Sequence, residues 1–202
     1  MESREIQLAD LEIRQATQAD SVQIAMLCLS ASNGIAEAIW SRIEMPGSSL
    51  IDVGAYLCAR EGDDVIFSFI NCMMAEYRGE MVGMFHSYPM HPGDKQETKI
   101  SDPVYRQFFE IPEFDGLFVS IIAVYPQFHG NSIGSCLLER AKQKARDLGL
   151  SRIGIFCFEE NKSSMEALKK WGFVEREHRP IIPHPMLHYR IGDAVLLFME
   201  LP

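Results

Sequence analysis

The chain has 202 residues, 47% hydrophobic and 23% charged, with a formal net charge of −9. That length and balance suit one globular domain with its own core, expected to run over residues 1–202. The negative sign argues against nucleic-acid and anionic-membrane surfaces, and no apolar run approaches the roughly 20 residues that span a bilayer.

In chain order, residues 11–16 read as a first strand. Thr17-x-x-Asp20 then forms a capping box, and Val22, Ile24, Ala25, Leu27 and Cys28 supply the apolar stripe of a helix to about residue 30. A second helix is expected over 34–44, stopped by Pro46-Gly47, followed by a short strand over 55–60 and a turn at 61–64. Strands over 65–76 and 81–88 joined at Tyr77-Arg78-Gly79-Glu80 read as a hairpin. Residues 89–114 break the pattern with Pro89, Pro92, Gly93 and Pro103 and read as an insertion carrying one short helix, either a wall for an acceptor or a plain surface excursion.

The second half is more regular. Leu117–Val124 is apolar apart from Ser120, as a strand buried on both faces requires. A helix over 132–148 places Ile133, Leu137, Leu138, Ala141, Ala145 and Leu148 on one stripe and stops at Gly149. A buried strand over 152–158, a helix over 163–171 and closing strands over 173–182 and 194–201 complete an α/β chain with a mixed sheet.

Cys28, Cys58, Cys72, Cys136 and Cys157 are scattered without a C-x-x-C pair and read as reduced core thiols. His184 and His188 stand four apart, but Pro183 and Pro185 oppose the helix that would join them, so no metal is expected. Met1-Glu2-Ser3-Arg4-Glu5 lacks the apolar core of a secretion signal, and a cytoplasmic location is expected.

The segment 121–134, Ile-Ile-Ala-Val-Tyr-Pro-Gln-Phe-His-Gly-Asn-Ser-Ile-Gly, is the most informative. A buried strand ends at Pro126, and a short loop with two glycines opens a long helix. Such a helix N-terminus offers unpaired N–H groups and a positive dipole end, which suits a phosphate. Gly130 and Gly134 let the backbone approach a bulky diphosphate, and the N–H groups of His129 through Ser135 are expected to point inward. The alternative is an ordinary helix start capped by Asn131 or Ser132. The G-x-G-x-x-G spacing of dinucleotide-binding loops is absent.

The Gln127-x-x-Gly130-x-Ser132 spacing followed by Ile133-Gly134 resembles the pyrophosphate loop of the GCN5-related N-acetyltransferase (GNAT) superfamily. The resemblance extends over residues 117–173 through the helix, the next strand, Asn161, a short helix and Gly172-Phe173, and the opening Ile13-Arg14-x-Ala16-Thr17-x-x-Asp20 looks like the family's usual start. The family normally has Gly or Ala where Ser132 stands.

The resemblance implies a GNAT-like fold with splayed central strands, acetyl-coenzyme A as co-substrate and no metal. It also implies that Gln127, Phe128, His129, Gly130, Asn131, Ser132, Ile133, Gly134 and Ser135 hold the diphosphate. The pantetheine arm would then lie along Ile122, Ala123 and Val124 like an added strand. Asn161 matches the asparagine that contacts the coenzyme near its reactive end, and also reads as a helix N-cap. Leu168 stands where many members carry a tyrosine that protonates the leaving thiolate, so water or Tyr88, Tyr105, Tyr125 or Tyr189 would have to serve.

For the base, the central strand offers only Ser120 in its interior, Glu113 and Asp115 precede it, and Glu76, His86 and Tyr88 stand on the hairpin. Ser120, Tyr88 and Glu76 are the catalytic candidates. The irregular stretches around His178-Arg179-Pro180 and 183–189 border either the acceptor site, a dimer contact or nothing. The expected activity is transfer of acetyl to a primary amine, on a small molecule or a peptide, by direct attack in a ternary complex. The family often forms homodimers. The rival is a silent acetyl-coenzyme A sensor.

Overall fold

The computed structural model describes residues 6–61, 66–92, 103–108, 111 and 113–202. Seven strands form one sheet in the order β1-β2-β3-β4-β5-β7-β6. They are β1 (Leu11–Gln15), β2 (Cys72–Tyr77), β3 (Glu80–Met90), β4 (Gly116–Val124), β5 (Arg152–Phe158), β6 (Val174–Pro180) and β7 (Asp193–Glu200). Only β4 and β5 run parallel, joined by α5 (Ile133–Asp147), so the mixed α/β class expected from the sequence holds. On one face α5 and α6 (Lys162–Lys170) pack over Leu117, Val119, Ile155 and Val195. On the other, α1 (Ser21–Ala31), α2 (Ile35–Trp40) and α3 (Leu50–Cys58) cover Met74, Met84 and Ala123.

The local signals act as their chemistry requires at several points. Thr17 and Asp20 form the capping box, closing a single 3₁₀ turn before α1, and Arg14 clasps Asp20 with two N–H groups at 2.8 and 2.9 Å. Arg78 and Gly79 turn the β2–β3 hairpin with φ of 51° and 81°, as a two-residue primed turn demands.

The expected strand over 55–60 is wrong. Ser49 and Asp52 form a second capping box, and α3 follows, burying Val53, Gly54 and Cys58 at helical spacing. The expected helix over 34–44 ends at Trp40, and the hairpin's first strand begins at Cys72 after a 3₁₀ turn over Phe69–Asn71. The insertion starts later than residue 89, because β3 continues to Met90, and α4 (Pro103–Arg106) supplies the one short helix. The rest of the expected insertion and most of the turn at 61–64 lie outside the described residues.

Two irregularities in β4 create the site. β4 pairs with β5 only at Leu117↔Ile153 and Phe118↔Gly154, so the strands part beyond Phe118. Against β3, His86 pairs with Ile121 and Ser87 with Val119, which leaves Ser120 as the extra residue of a bulge. Lys144 of α5 fastens the bulge from below, its Nζ donating to the Ser87 hydroxyl at 3.1 Å and the Ser87 carbonyl at 3.3 Å.

Candidate active site

The turn into α5 is built from its backbone. Pro126–Phe128 makes a 3₁₀ turn, Gly130 takes φ 83°, and Ser132 sits at the N-cap with φ 61°. A side-chain cap would normally satisfy the first helical N–H groups, but the Ser132 side chain makes no capping bond. The first intrahelical bond runs from the Cys136 N–H to the Ser132 carbonyl, so the N–H groups of Ile133, Gly134 and Ser135 have no carbonyl one turn earlier to meet. Asn131 stiffens the turn, accepting from the Ile6 N–H at 3.1 Å and donating to the Phe128 carbonyl at 3.1 Å. The His129 ring donates through Nε2 to the Val124 carbonyl at 2.8 Å.

Where β4 and β5 part, a cleft with a cavity of about 200 Å³ passes through the sheet. On the α6 side it is lined by Ile122, Ile155, Cys157, Asn161, Ser164, Ala167, Leu168 and Trp171. On the α1–α2 side it is lined by Ser32, Asn33, Ile35, Phe67, Phe108, Phe118, Phe156 and Phe158, among others. Trp171 links the cleft to the α5 turn. Its Nε1 donates to Ser135 Oγ at 3.2 Å, and a methyl at Gly134 would press its ring at 3.3 Å. Glycine at 134 therefore keeps the tryptophan in place.

Ser120 stands at the waist between the two halves. Its Oγ lies 2.5 Å from Nδ1 of His86, whose Nε2 lies 2.6 Å from the Ile66 carbonyl. A carbonyl only accepts, so Nε2 carries the ring proton and Nδ1 accepts the hydrogen bond of the Ser120 hydroxyl. Burial, with help from the Lys144 charge, lowers the His86 pKa to about 4 against the usual 6.5, although the Ile66 hydrogen bond opposes that shift. The imidazole is neutral at pH 7.

A family model described as Acetyltransferase (GNAT) family matches residues 40–173. The chain belongs to the GNAT acetyltransferase family. It is similar in fold to a crystal structure named only as an acetyltransferase, at 22% identity and TM-score 0.65, covering 95% of this chain and all of that one. It also resembles yncA of Salmonella typhimurium, whose structure holds its cofactor acetyl-CoA, at 18% identity and TM-score 0.57, covering 96% and 95%. A third match is agmatine N-acetyltransferase, at 16% identity and TM-score 0.59, covering 95% and 100%. No curated protein is close enough in sequence to count as a relative.

Within this GNAT frame the residues singled out from the sequence separate into groups. Ser120, Ile122, Asn161 and Leu168 line the cleft together. Asn161 does both things its position allowed, since its Oδ1 accepts from the Ser164 N–H at 3.3 Å while the residue borders the cleft. Ala123 faces the α1 side instead of the cleft, and Val124 packs toward α5 with its carbonyl bonded to His129. Gln127 through Ser135 form the α5 turn, outside the cleft lining. Phe128 and Ile133 bury their side chains in the core and offer the turn only backbone.

One expectation there is corrected. The His129 N–H does not join an inward-pointing set, because it is bonded to the Pro126 carbonyl at 3.2 Å.

Two catalytic candidates sit elsewhere. Glu76 is held by Arg14 at 3.2 Å near the β1 edge, two strands from the cleft. Tyr88 is buried with its ring 5.7 Å from Phe118, below the cleft lining. Asp115 pairs with His91 at 2.8 Å, Glu113 is exposed, Tyr125 donates to Gln23 at 2.8 Å, and Tyr189 packs on Phe158 at 5.4 Å. The side chain of Tyr105 lies outside the described residues.

Sequence reading misses Trp171, whose helical spacing suggests core, and the pairing of His86 with Ser120. A bulge that brings residues 86 and 120 together leaves no periodic trace. No group of three or more metal-ligating side chains occurs among the described residues. No helix there is long and apolar enough to cross a membrane.

Proposed function

We propose that this chain transfers acetyl from acetyl-coenzyme A to a primary amine by direct attack within a ternary complex. The observation that carries the proposal is the coincidence of two features. One is a helix start whose side-chain cap is absent, and the other is a through-sheet cleft opening beside it where β4 and β5 part. Each fits one part of the coenzyme. The N–H groups of Ile133, Gly134 and Ser135, with the α5 dipole, would hold the diphosphate, and charge-assisted bonds of this kind contribute about 1.5–3 kcal/mol each. The backbone of Ile122, on an edge of β4 that β5 no longer covers, would take the pantetheine amides as an added strand takes its neighbour's.

Bound there, acetyl-coenzyme A supplies an activated thioester. The protein's part is positioning: Leu168, Trp171 and Ile155 exclude water from one half, and Ser120 marks the point where the halves meet. The amine nitrogen forms its bond to the acetyl carbon, the carbon–sulfur bond breaks, and the amine proton leaves for solvent. Leu168 occupies the place of the family's tyrosine and no tyrosine lines the cleft among the described residues, so the thiolate departs with solvent's help; a coenzyme thiol, with a pKa near the 8.5 of free cysteine, is a tolerable leaving group at neutral pH.

The test is release of free thiol from acetyl-coenzyme A across chemically diverse amines. Amine-dependent release that scales with enzyme is the expected result. A chain that binds the cofactor yet turns over no amine would be the silent sensor instead.

A further inference from the structure

We infer that the acceptor is a primary amine on an uncharged, apolar, ring-compatible body, seated with its nitrogen at Ser120 and its body among Phe108, Phe118, Phe156 and Phe158. This rests on the acetyl-transfer reading above. Among the described residues, no charged side chain lines either half of the cleft, and the acceptor half is walled by phenylalanines. These rings are fixed against one another, Phe108 to Phe158 at 5.5 Å and Phe118 to Phe156 at 5.9 Å between centroids. The wall is also braced from outside. Gln107 accepts from the Ile182 N–H at 3.0 Å, and Arg179 donates to the Gln107 carbonyl at 3.1 Å, tying the turn that carries Phe108 to the β6 end.

The waist has one polar handle, and its direction is set. The Ser120 hydroxyl donates its hydrogen bond to His86 Nδ1, so its oxygen presents lone pairs and accepts an N–H. An amine nitrogen meets that requirement, whereas a carbonyl or carboxylate of an acceptor would face oxygen against oxygen. An ammonium entering this apolar half sheds its proton more readily than in water, which favours the neutral nucleophile without a dedicated base.

Among the described residues, a second cation on the acceptor, as in a polyamine or agmatine, meets no charged side chain in the cleft lining. Stripping its water leaves it uncompensated in an uncharged cleft. Ring faces offer partial recompense, but Phe156 already carries the Arg179 guanidinium at 5.3 Å from its centroid.

The experiment measures thiol release with 2-phenylethylamine and hexylamine against agmatine, spermidine and a lysine peptide, on the full chain. The expected kcat/KM for 2-phenylethylamine exceeds that for agmatine and spermidine at least tenfold, and equal or better use of the cationic acceptors overturns the inference. Ile35→Asp adds a carboxylate to the acceptor half at the first position of α2, where the helix dipole favours a negative charge. It should lower the 2-phenylethylamine to 1,4-diaminobutane ratio at least tenfold, and an unchanged ratio counts against the seating. Ser120→Ala should lower kcat/KM for 2-phenylethylamine at least tenfold, and an unchanged value overturns the placement of the nitrogen.

A thermal shift with acetyl-coenzyme A is read on each protein. A shift with transfer to the cationic amines and to no apolar one overturns this inference alone, whereas a shift with no transfer to any amine overturns the transfer reading. No shift on the wild-type chain overturns the cofactor reading beneath it.

Discussion

His86 is a buried base kept neutral, and that gives it a measurable effect on stability. Its folded pKa of about 4 lies below the 6.5 of the unfolded chain, so the unfolded state takes up a proton first as pH falls. The stability it contributes is present above pH 6.5 and is lost between pH 6.5 and 4. Chemical denaturation at pH 7.5 and 4.5 should show a fall on the order of 2–3 kcal/mol from this residue, since a tenfold change in proton affinity corresponds to about 1.36 kcal/mol. His86→Asn should flatten that part of the profile, and an equally steep fall in the variant would show that the loss arises elsewhere. Asp20 acts lower, because the Arg14 hydrogen bonds hold its pKa near 2, and its share of stability is lost only below about pH 3.8. None of this is visible in the sequence, where His86 is one of several polar residues on a hairpin. Its chemistry depends on Ile66, Ser120 and Lys144, which come from three other segments.

At the scale of elements, legibility follows how local each signal is. α5, β4, β5 and α6 can be read almost to the residue, because buried runs, a continuous stripe and Gly149 and Gly172 define them locally. α3 escapes although its capping box is also local, because Tyr56, Leu57 and Cys58 look strand-like when taken without Ser49 and Asp52.

The docking of the β6–β7 connection cannot be foreseen either. Gly34 takes φ 92° at the end of the α1–α2 turn, a Cβ there would run into the Met186 carbonyl, and the His188 N–H bonds the Asn33 carbonyl at 3.0 Å. Because Asn33 and Ile35 line the cleft, this contact shapes its α1–α2 side, where the acceptor is proposed to sit. Gly34→Ala should cost about 2 kcal/mol or more, read as a lower Tm, because it combines backbone strain with a clash. Acetyl-coenzyme A binding should persist while the KM for the amine rises. A variant with unchanged Tm and KM would mean that the connection does not brace the site.

For the whole molecule, the sheet order, the parting of β4 from β5 and the α5 turn converge on a cleft whose α1–α2 half, the proposed acceptor half, is lined by uncharged side chains among the described residues. Its neutrality has an energetic basis. An isolated ammonium buried there would lose several kcal/mol of hydration, while a cation–π contact returns about 0.5–2 kcal/mol. The phosphate-suited turn is legible because glycine spacing and helix onset are written locally in residues 127–134. The proposed acceptor half is not, since it joins α1, α2, Phe108, β4, β5 and β7 from across the chain. The most direct measurement is a crystal structure with acetyl-coenzyme A bound. The expected result has the diphosphate on the N–H groups of Ile133, Gly134 and Ser135 and the thioester in the gap between β4 and β5 beside Ser120. A coenzyme bound elsewhere, or a gap that stays closed by its own side chains in the complex, would contradict the account.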